Sequence, residues 1–322
     1  MKVKGGIMAN SSSYVFCPES VLLTGSSGFI GSYVNQLLDC RCSIACRVID
    51  SKSNNVRRVS ISDIIESDSS SLLNETQVVI HLANLAHATS YTSSELKFVN
   101  VDLTLNLARK AAKHKVKRFI YVSSIVVNGI NCSNSLFSSK SQALPNTPYA
   151  KSKWDAEVGL KKIAAETDLE VVIVRPTLVY GPNAPGNFGM LTKLVNKLSL
   201  LPFGLTDNKR DFIAVQNLAD LLITCANHPD AAGHTFLASD GETVSIKEFT
   251  NAIAKGLNKK LIQLPVPVSL MRLVARLVGK SAMAEQLLGN SQVDSSNAQE
   301  VLGWIPPYTM EQAMASLSEN KI

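Results

Sequence analysis

The sequence predicts an α/β fold, a doubly wound parallel sheet followed by a smaller C-terminal part. Short, continuously apolar runs alternate with stretches of helical periodicity up to about residue 182, as in parallel strands covered on both faces by helices. The first apolar run ends in a glycine-rich turn that opens a helix. Beyond residue 182 the alternation weakens into loops such as "GPNAPGNFG" and "LPFGLTDNK", which predict a separate, smaller part.

The elements of the first part follow in order along the chain. The predicted strands are "SVLLTG", "SIACRVID", "RRVSI", "QVVIHLA", "RFIYVSS" and "LEVVIVRP". The predicted helices are "GFIGSYVNQLLDC", "NVDLTLNLARKAAKHK" and residues 148–166. In the second helix Leu103, Leu107 and Ala111 recur at helical spacing, and basic residues gather towards its end.

Composition limits the classes of partner. The 322 residues are 45% hydrophobic and 18% charged, which is typical of a soluble globular protein. The net charge of +6 is spread along the chain without a basic stripe interleaved with aromatics, so we expect no nucleic-acid partner and allow a phosphate-bearing small molecule. No apolar run approaches the roughly 18 residues of a membrane span, and "MKVKGGIMANSSS" lacks a signal-peptide core. A cytoplasmic protein is expected.

The cysteines predict neither a metal site nor disulfides. Three of them, Cys40, Cys42 and Cys46, cluster around a predicted strand, but no histidine cluster accompanies them at metal-binding spacing. We interpret them as small apolar residues in a reducing compartment and expect no metal.

The glycine-rich turn points to a dinucleotide. Gly25, Gly28 and Gly31 form G-x-x-G-x-x-G directly after a strand and at the start of a helix. In this context the first glycine makes the tight turn, the second lets the backbone approach a pyrophosphate, and the third lets the helix pack close to its strand. The helix N-terminus supplies free N–H groups to the anion.

The choice between NAD and NADP stays open. An acid at the end of the second strand binds the ribose hydroxyls, and a base favours the 2′-phosphate; the sequence offers both, as Arg47 and Asp50. Asp63 either accepts from the adenine amino group or caps a helix.

Two helical stretches carry further signals. Tyr149 and Lys153 are four residues apart, so a helix that starts at Pro148 places them one turn apart on one face. The segment 268–280 is amphipathic, with Arg272 and Arg276 one turn apart. It suits a membrane surface, but we expect it to be a core-facing helix.

The chain resembles the extended short-chain dehydrogenase/reductase family, which comprises nucleotide-sugar epimerases, dehydratases and reductases. The resemblance runs from about residue 21 to 314 and is carried, in family order, by "TGSSGFIG", "HLANLAH", "VSSIVVNG", "YAKSK", "RPTLVYGP" and "KRDFIAVQNLADLL". It implies a Rossmann-type fold, with a flexible leader at 1–18, a dinucleotide-binding domain with the catalytic residues at 19–182, and a mainly substrate-binding part at 183–322.

The resemblance also implies roles for individual residues. Tyr149 corresponds to the general acid/base, Lys153 to the ammonium that lowers the tyrosine pKa and holds the nicotinamide ribose, Ser124 to the hydroxyl on the sugar oxygen, and Asn100 to a structural or proton-relay position. The implied cofactor contacts are Gly25, Ser27, Gly28, Phe29, Ile30, Gly31, Arg47, Asp50, Asp63, Ile64, Leu82, Ala83, Tyr149 and Lys153. The implied substrate contacts are Ser124, Tyr149, Asn187 and Arg210.

Three reactions of the family compete. A 4,6-dehydratase needs an acid/base pair after the catalytic hydroxyl, but Ser124 is followed by Ile125, Val126 and Val127, which excludes it. A 4-keto reductase and a 4-epimerase need the same catalytic residues. Resemblance to surface-polysaccharide enzymes, and an NADP preference if Arg47 faces the ribose, favour reduction of a UDP-4-keto-6-deoxy-N-acetylhexosamine. The alternatives are a UDP-sugar 4-epimerase with bound NAD and, further off, a non-catalytic cofactor-binding scaffold.

The family also implies a quaternary structure. Many members dimerise through a four-helix bundle, which here would use the helices that start near Val101 and Tyr149. We therefore expect a homodimer.

Overall fold

The computed structural model describes residue 18 and residues 20–38, 41–46, 57–60, 71–86, 91–129, 131–132 and 136–319. Arg47, Asp50, Asp63 and Ile64, four of the predicted cofactor contacts, lie outside the described residues.

A parallel sheet forms the centre of the first part. Its strands pair in the order β10-β6-β5-β4-β1-β2-β3, and every adjacent pair is parallel. Within the described residues the strands are β1 (Ser20–Thr24), β2 (Arg41–Cys46), β3 (Arg57–Ser60), β4 (Val78–His81), β5 (Arg118–Val122), β6 (Glu170–Pro176), β7 (Leu178–Tyr180), β8 (Leu200–Leu201), β9 (Arg210–Ala214), β10 (Thr235–Ala238), β11 (Thr243–Val244) and β12 (Ile262–Gln263). Successive strands are added on one side of the sheet up to β3 and on the other side from β4 onwards. Open α/β sheets bind their ligands at such a switch point, here between β1 and β4.

Helices cover both faces of the sheet. They are α1 (Phe29–Leu37), α2 (Ser71–Asn74), α3 (Ser93–Lys97), α4 (Thr104–Lys113), α5 (Pro148–Glu166), α6 (Gly186–Lys197), α7 (Val215–Asn227), α8 (Ile246–Gly256), α9 (Val268–Leu277), α10 (Ser281–Leu288), α11 (Ser296–Leu302) and α12 (Met310–Glu319). Short 3₁₀ turns occupy Ile125–Val127 and Pro229–Ala231. The doubly wound α/β prediction is therefore confirmed.

Alternate strand residues supply two apolar layers. In β1, Val21 and Leu23 pack with Val34 of α1 and Leu218 of α7, while Leu22 packs on the opposite face of the sheet. That opposite layer is completed by α2, α4 and α5, with side chains such as Leu107 and Leu160 fully buried. Strands buried on both faces explain why their sequences are continuously apolar rather than alternating.

The C-terminal part has its own core and also contributes to the main sheet. Strand β10 pairs with β6, so the sheet extends past residue 182, the end predicted for the dinucleotide-binding domain. The separate core is built on aromatic rings: Phe212 and Phe249 stack with their centroids 3.7 Å apart, and Tyr180 meets Phe249 edge-on. This cluster fixes β9 and α8 beside the carboxyl ends of the main strands.

Two helical segments differ from the sequence-based expectation. Residues Phe98–Leu103 form a π-helix between α3 and α4, whereas the sequence predicted an ordinary helix that starts at Asn100. Helix α9, expected to face the core, has no buried residue, and only one side of it packs on the C-terminal core. One side of α9 does face the core, as expected, but the sequence did not reveal the exposed apolar residues on its other sides, because the spacing is the same for a buried face and for an exposed one.

Candidate active site

The glycine-rich turn forms a cradle at the carboxyl end of β1. Gly25 has φ +72°, and a Cβ added there would lie 2.8 Å from the backbone nitrogen of Ala83. A Cβ on Gly31 would lie only 2.2 Å from the carbonyl oxygen of Gly25. Side chains at either position would fill the space between β1, α1 and the end of β4. These two glycines therefore let α1 and the end of β4 pack closely against the turn.

The N-terminus of α1 is open to an anion. Helix α1 begins at Phe29, and Gly28 precedes it without a side-chain cap; its first turn holds no acidic residue. Ser27 and Gly28 are exposed at the turn, and Phe29 and Ile30 are partly exposed. Uncapped N–H groups and the positive end of the helix dipole fit a pyrophosphate. These residues fit the nicotinamide dinucleotide that the sequence predicts.

A buried polar chain ties β1 and β4 to α4. His81 joins Thr24 Oγ1 through Nδ1 at 2.8 Å and Thr104 Oγ1 through Nε2 at 2.9 Å. Burial and the nearby charge of Lys153 lower the pKa of His81 to about 3, so the imidazole is neutral at physiological pH. The Thr24 hydroxyl also accepts from the N–H of Ala83 at 3.2 Å. This network fixes the backbone at Leu82 and Ala83 beside the glycine cradle.

Asn100 is a structural residue of this site. It lies fully buried in the π-helix, where its Oδ1 accepts from the N–H of Leu85 at 2.8 Å and its Nδ2 donates to Ser152 Oγ at 3.0 Å. The Ser152 hydroxyl donates in turn to the carbonyl of Tyr149 at 2.8 Å. Asn100 therefore connects the loop after β4 to the first turn of α5. The π-helix explains its inward direction, since the extra residue per turn rotates the side chain.

Ser124 and Tyr149 meet at the carboxyl end of β5. Helix α5 begins at Pro148, and the Thr147 hydroxyl caps it by accepting from the N–H of Ala150 at 3.1 Å. This start places Tyr149 in the first turn, where its phenol hydrogen-bonds to the Ser124 hydroxyl. Burial raises the pKa of Tyr149 to about 12, although the hydrogen bond to Ser124 acts in the opposite direction. In the protein chain alone the phenol is therefore protonated at neutral pH; the predicted lowering also needs the charge of the nicotinamide.

Lys153 lies one turn further along the same face of α5. It is 1% exposed, and its Nζ lies 4.4 Å from the centroid of the Tyr121 ring. Burial lowers the pKa of Lys153 to about 7, and the negative charge of Glu157 opposes this shift. A buried ammonium with this pKa adds and loses its proton near neutral pH. The charge of Lys153 at neutral pH therefore depends on the nearby Glu157 carboxylate.

Glu157 lies at the bottom of the site. The carboxylate is fully buried and accepts from Ser123 Oγ at 2.5 Å, from Arg175 Nε at 2.9 Å and from Arg175 Nη2 at 2.5 Å. Arg175 also donates to Asn128 Oδ1 at 3.0 Å, which fixes the end of the 3₁₀ turn after Ser124. Arg175 thus anchors this loop, and the network connects the serine strand to the tyrosine helix.

A polar cavity of about 760 Å³ opens in the C-terminal part. Its lining includes Cys132, on the loop that follows Ser124, together with Lys209, Arg272, Asn290 and Gln292. The acid Asp207 also lines it, so the pocket is polar and mixed in charge, with a lysine, an arginine and amides that can bind phosphate. No sequence motif marks these residues for ligand binding, since they come from separate loops and helices.

The predicted substrate contacts lie in different surroundings. Arg210 is half-buried next to the cavity residue Lys209, and its Nη1 donates to the Gly289 carbonyl at 2.8 Å. Burial lowers the pKa of Arg210 to about 10, which leaves it cationic at neutral pH. Asn187 is exposed in the first turn of α6 and is not part of the cavity lining.

The structure brings Ser124, Tyr149 and Lys153 together with Asn100 behind them. Glu157, which the sequence analysis missed, completes the arrangement. It had a detectable signal, because it is an acid four residues after Lys153, on the same helical face. Within the described residues no group of histidine, cysteine and acidic side chains is placed to hold a metal ion.

Comparison with known proteins identifies the family. The model of the NAD dependent epimerase/dehydratase family matches residues 21–239. A UDP-glucose 4-epimerase of Vibrio cholerae is 39% identical over 316 residues, which cover 94% of this chain and 95% of that relative. A second relative, from Escherichia coli O157:H7, is an N-acetyl-alpha-D-glucosaminyl-diphospho-ditrans,octacis-undecaprenol 4-epimerase. It is 24% identical, and the match covers 92% of this chain and 93% of that relative.

Solved structures show the same fold. The UDP-glucose 4-epimerase of Thermotoga maritima, solved with UDP-glucose, superposes with a TM-score of 0.75 at 22% identity and covers 93% of this chain and 97% of that one. The UDP-glucuronic acid 4-epimerase of Bacillus cereus, in complex with NAD, gives a TM-score of 0.74 at 18% identity, covering 93% and 95%. The chain is an enzyme of the short-chain dehydrogenase/reductase type and belongs to the NAD dependent epimerase/dehydratase family.

Proposed function

We propose that the protein is an NAD-dependent UDP-sugar 4-epimerase that inverts C4 of a UDP-hexose, with UDP-glucose and UDP-galactose as the first pair to test. The observation that carries this proposal is the 39% identity to the Vibrio cholerae UDP-glucose 4-epimerase along nearly the whole of both chains. It favours the epimerase over the keto-sugar reductase that the sequence motifs favoured. The Ser124–Tyr149–Lys153 arrangement supports either reaction.

The site residues have distinct tasks in this reaction. NAD, which the turn at Gly25, Gly28 and Gly31 would hold, would supply the hydride acceptor and donor for C4. Tyr149 accepts the proton of the C4 hydroxyl during oxidation and gives it back during reduction. Ser124 hydrogen-bonds both the sugar oxygen and the phenol, which keeps the two oxygens aligned. Lys153 stabilises the phenolate through its charge, so the tyrosine can act as a base despite its burial.

The residues after Ser124 support a reaction confined to C4. Ile125 and Val127 are buried in the 3₁₀ turn, and neither has a group that transfers protons. A dehydratase must remove a proton at C5 and a hydroxyl at C6, for which the described site offers no acid/base pair in this turn. The geometry therefore supports an epimerase or a reductase rather than a 4,6-dehydratase.

The polar cavity is the proposed site of the UDP group. Lys209 and Arg272 supply positive charge to a diphosphate, and Asn290 and Gln292 supply amide hydrogen bonds. Arg210 reaches the same diphosphate if its guanidinium leaves the Gly289 carbonyl when the nucleotide binds. Asn187 stays a predicted contact to the nucleotide from the first turn of α6.

We propose NAD rather than NADP as the cofactor. An epimerase must return the hydride to the same sugar, so the dinucleotide stays bound through both half-reactions, and the structural neighbour from Bacillus cereus holds NAD. Asp50 stays the predicted ribose contact, and Asp63 and Ile64 stay predicted cofactor contacts; all three lie outside the described residues.

A second candidate substrate is a lipid-linked sugar diphosphate, as named for the Escherichia coli relative. A specific observation favours it: the polar cavity shares Leu288 with an apolar groove of about 430 Å³ between α9 and α10. A diphosphate in the cavity would place an attached hydrocarbon chain towards that groove.

We further propose a homodimer formed by α4, α5 and the π-helix. Phe98 and Val158 expose 57% and 48% of their surfaces there, and Gly159 contacts Leu105, so the two helices pack closely enough to present one joint face. A sedimentation mass of a single 34.7 kDa chain would contradict this arrangement.

Incubation with separate sugar nucleotides tests the proposed function. Purified protein without added reductant should convert UDP-glucose to UDP-galactose and should carry NAD released by acid denaturation. The comparison arms are UDP-N-acetylglucosamine, its undecaprenyl diphosphate counterpart in detergent, and the UDP-4-keto-6-deoxy sugar with NADPH. Consumption of reduced cofactor with the keto sugar, without any epimerisation in the other arms, would establish the reductase instead.

A further inference from the structure

Helix α9 is attached to the C-terminal part by one side only. Val268, Met271 and Ala275 pack on the core formed by α8, α10 and α12, and each is only partly buried. No residue of α9 is buried. The helix therefore lies on the surface and exposes most of its circumference.

The exposed side of α9 is a continuous apolar stripe. We call it the leucine stripe; it consists of Leu270, Leu273, Val274, Leu277 and Val278. Counted from Leu270, its members recur at positions i, i+3, i+4, i+7 and i+8, so they share one face of the helix. Leu277 is 78% exposed and Leu273 53%. Exposed apolar surface of this continuity marks a binding surface rather than ordinary surface composition.

The surroundings of the stripe are basic. Arg272 and Arg276 lie one turn apart along its edge, and Lys280 follows the end of the helix. Residues 249–284 contain six lysines and arginines and no aspartate or glutamate, and one of the six, Lys255, pairs with Glu311 of α12. Arg272 pairs with Glu285 at 2.9 Å, whereas Arg276 and Lys280 are exposed.

The leucine stripe also continues into a groove. Val274 and Val278 line it together with Met283 and Leu287 of α10 and with Phe203. On its other side α9 lines the polar cavity through Val268 and Arg272. One helix thus separates an apolar, outward-facing surface from the basic cavity.

We propose that α9 docks parallel to the surface of an anionic lipid bilayer, with the leucine stripe among the acyl chains and Arg276 and Lys280 at the phosphate headgroups. An amphipathic helix with apolar residues on one face and bordering basic residues binds membrane interfaces in this way. Each basic residue near an anionic surface adds to the attraction. Arg276 and Lys280, exposed beside the stripe, give the charge complementarity that an anionic lipid surface requires. The proposal holds for either carrier of the sugar and does not rest on the proposed reaction.

Flotation with lipid vesicles tests the docking. The full chain is mixed with phosphatidylcholine vesicles that contain phosphatidylglycerol, and separately with phosphatidylcholine alone. The protein should float with the anionic vesicles and be released by high salt. The double variant Leu273→Gln/Leu277→Gln should lower the partition coefficient at least about tenfold. Arg276→Gln should lower it about fivefold on the anionic vesicles alone.

A matched control is Ile305→Gln, since Ile305 is an apolar residue 65% exposed in a different segment, between α11 and α12. It should float as the unaltered protein does, and all variants should keep the thermal midpoint and turnover of a water-soluble substrate. Two results would overturn the proposal: an unaltered protein that stays with the unbound fraction, or a double variant that floats equally well. A lower sedimentation mass of the double variant, without vesicle binding by the parent, would assign the stripe to self-association instead.

Discussion

Replacing Tyr149 by phenylalanine is expected to lower kcat about 10³-fold, the range of a lost general acid/base. Phenylalanine preserves the ring in the first turn of α5 but removes the oxygen that hydrogen-bonds to Ser124. The sugar hydroxyl then has no partner to accept its proton while the hydride leaves C4. Initial rates of UDP-glucose conversion, measured beside the amount of NAD that copurifies, separate chemistry from cofactor binding.

The NAD content of the Tyr149→Phe protein should stay near that of the parent, because the cradle at Gly25 and Gly31 is untouched. Tyr308→Phe is the matched control: Tyr308 precedes α12 and is exposed, so its turnover should equal that of the parent. If Tyr149→Phe retains most of the activity, Tyr149 is not the acid/base.

Replacing Glu157 by glutamine is expected to destabilise the protein by about 3–5 kcal/mol, the usual cost of leaving one partner of a buried ion pair uncompensated. The variant keeps the shape of the side chain but leaves the Arg175 guanidinium, 2.5 Å away and buried, without its counter-charge. The chemical unfolding midpoint measures this loss.

Glu157→Gln also affects catalysis, because it changes the pKa of Lys153. Since the Glu157 charge opposes the lowering of the Lys153 pKa, its removal lowers that pKa below about 7. Lys153 then loses its proton at lower pH, so the alkaline limb of the kcat profile should move to lower pH in the folded variant. Glu166→Gln is the control, because its pair with Lys162 is exposed and 3.8 Å long, and removing it should leave both measurements unchanged. An unshifted pH profile would show that Glu157 does not set the charge of Lys153.

Local signals predicted the elements that carry the site. The Thr147–Pro148 pair defines the start of α5, and continuous apolar strands predicted a parallel sheet, because burial on both faces leaves a direct imprint on residue type. The glycine spacing predicted the turn after β1 because a Cβ at Gly31 would clash with the backbone, so only glycine fits there.

Other features depend on tertiary contacts and left no local signal. The π-helix at Phe98–Leu103 is stabilised by the bonds of Asn100 to Leu85 and Ser152, which are distant in sequence. The cavity around Lys209 and Arg272 assembles from several segments of the C-terminal part. Periodicity identified α9 as amphipathic but did not reveal whether its apolar residues face the core or the solvent.

The most direct test of the account follows the hydrogen at C4. UDP-glucose that carries deuterium at C4 is incubated with the purified protein in ordinary water, without added cofactor. If the hydride returns to the same sugar, the UDP-galactose formed keeps the deuterium at C4, and mass spectrometry finds no loss of label. Deuterium that leaves the sugar for water or for a dissociated cofactor, or a complete absence of UDP-galactose, would contradict a 4-epimerase that retains its NAD through both half-reactions.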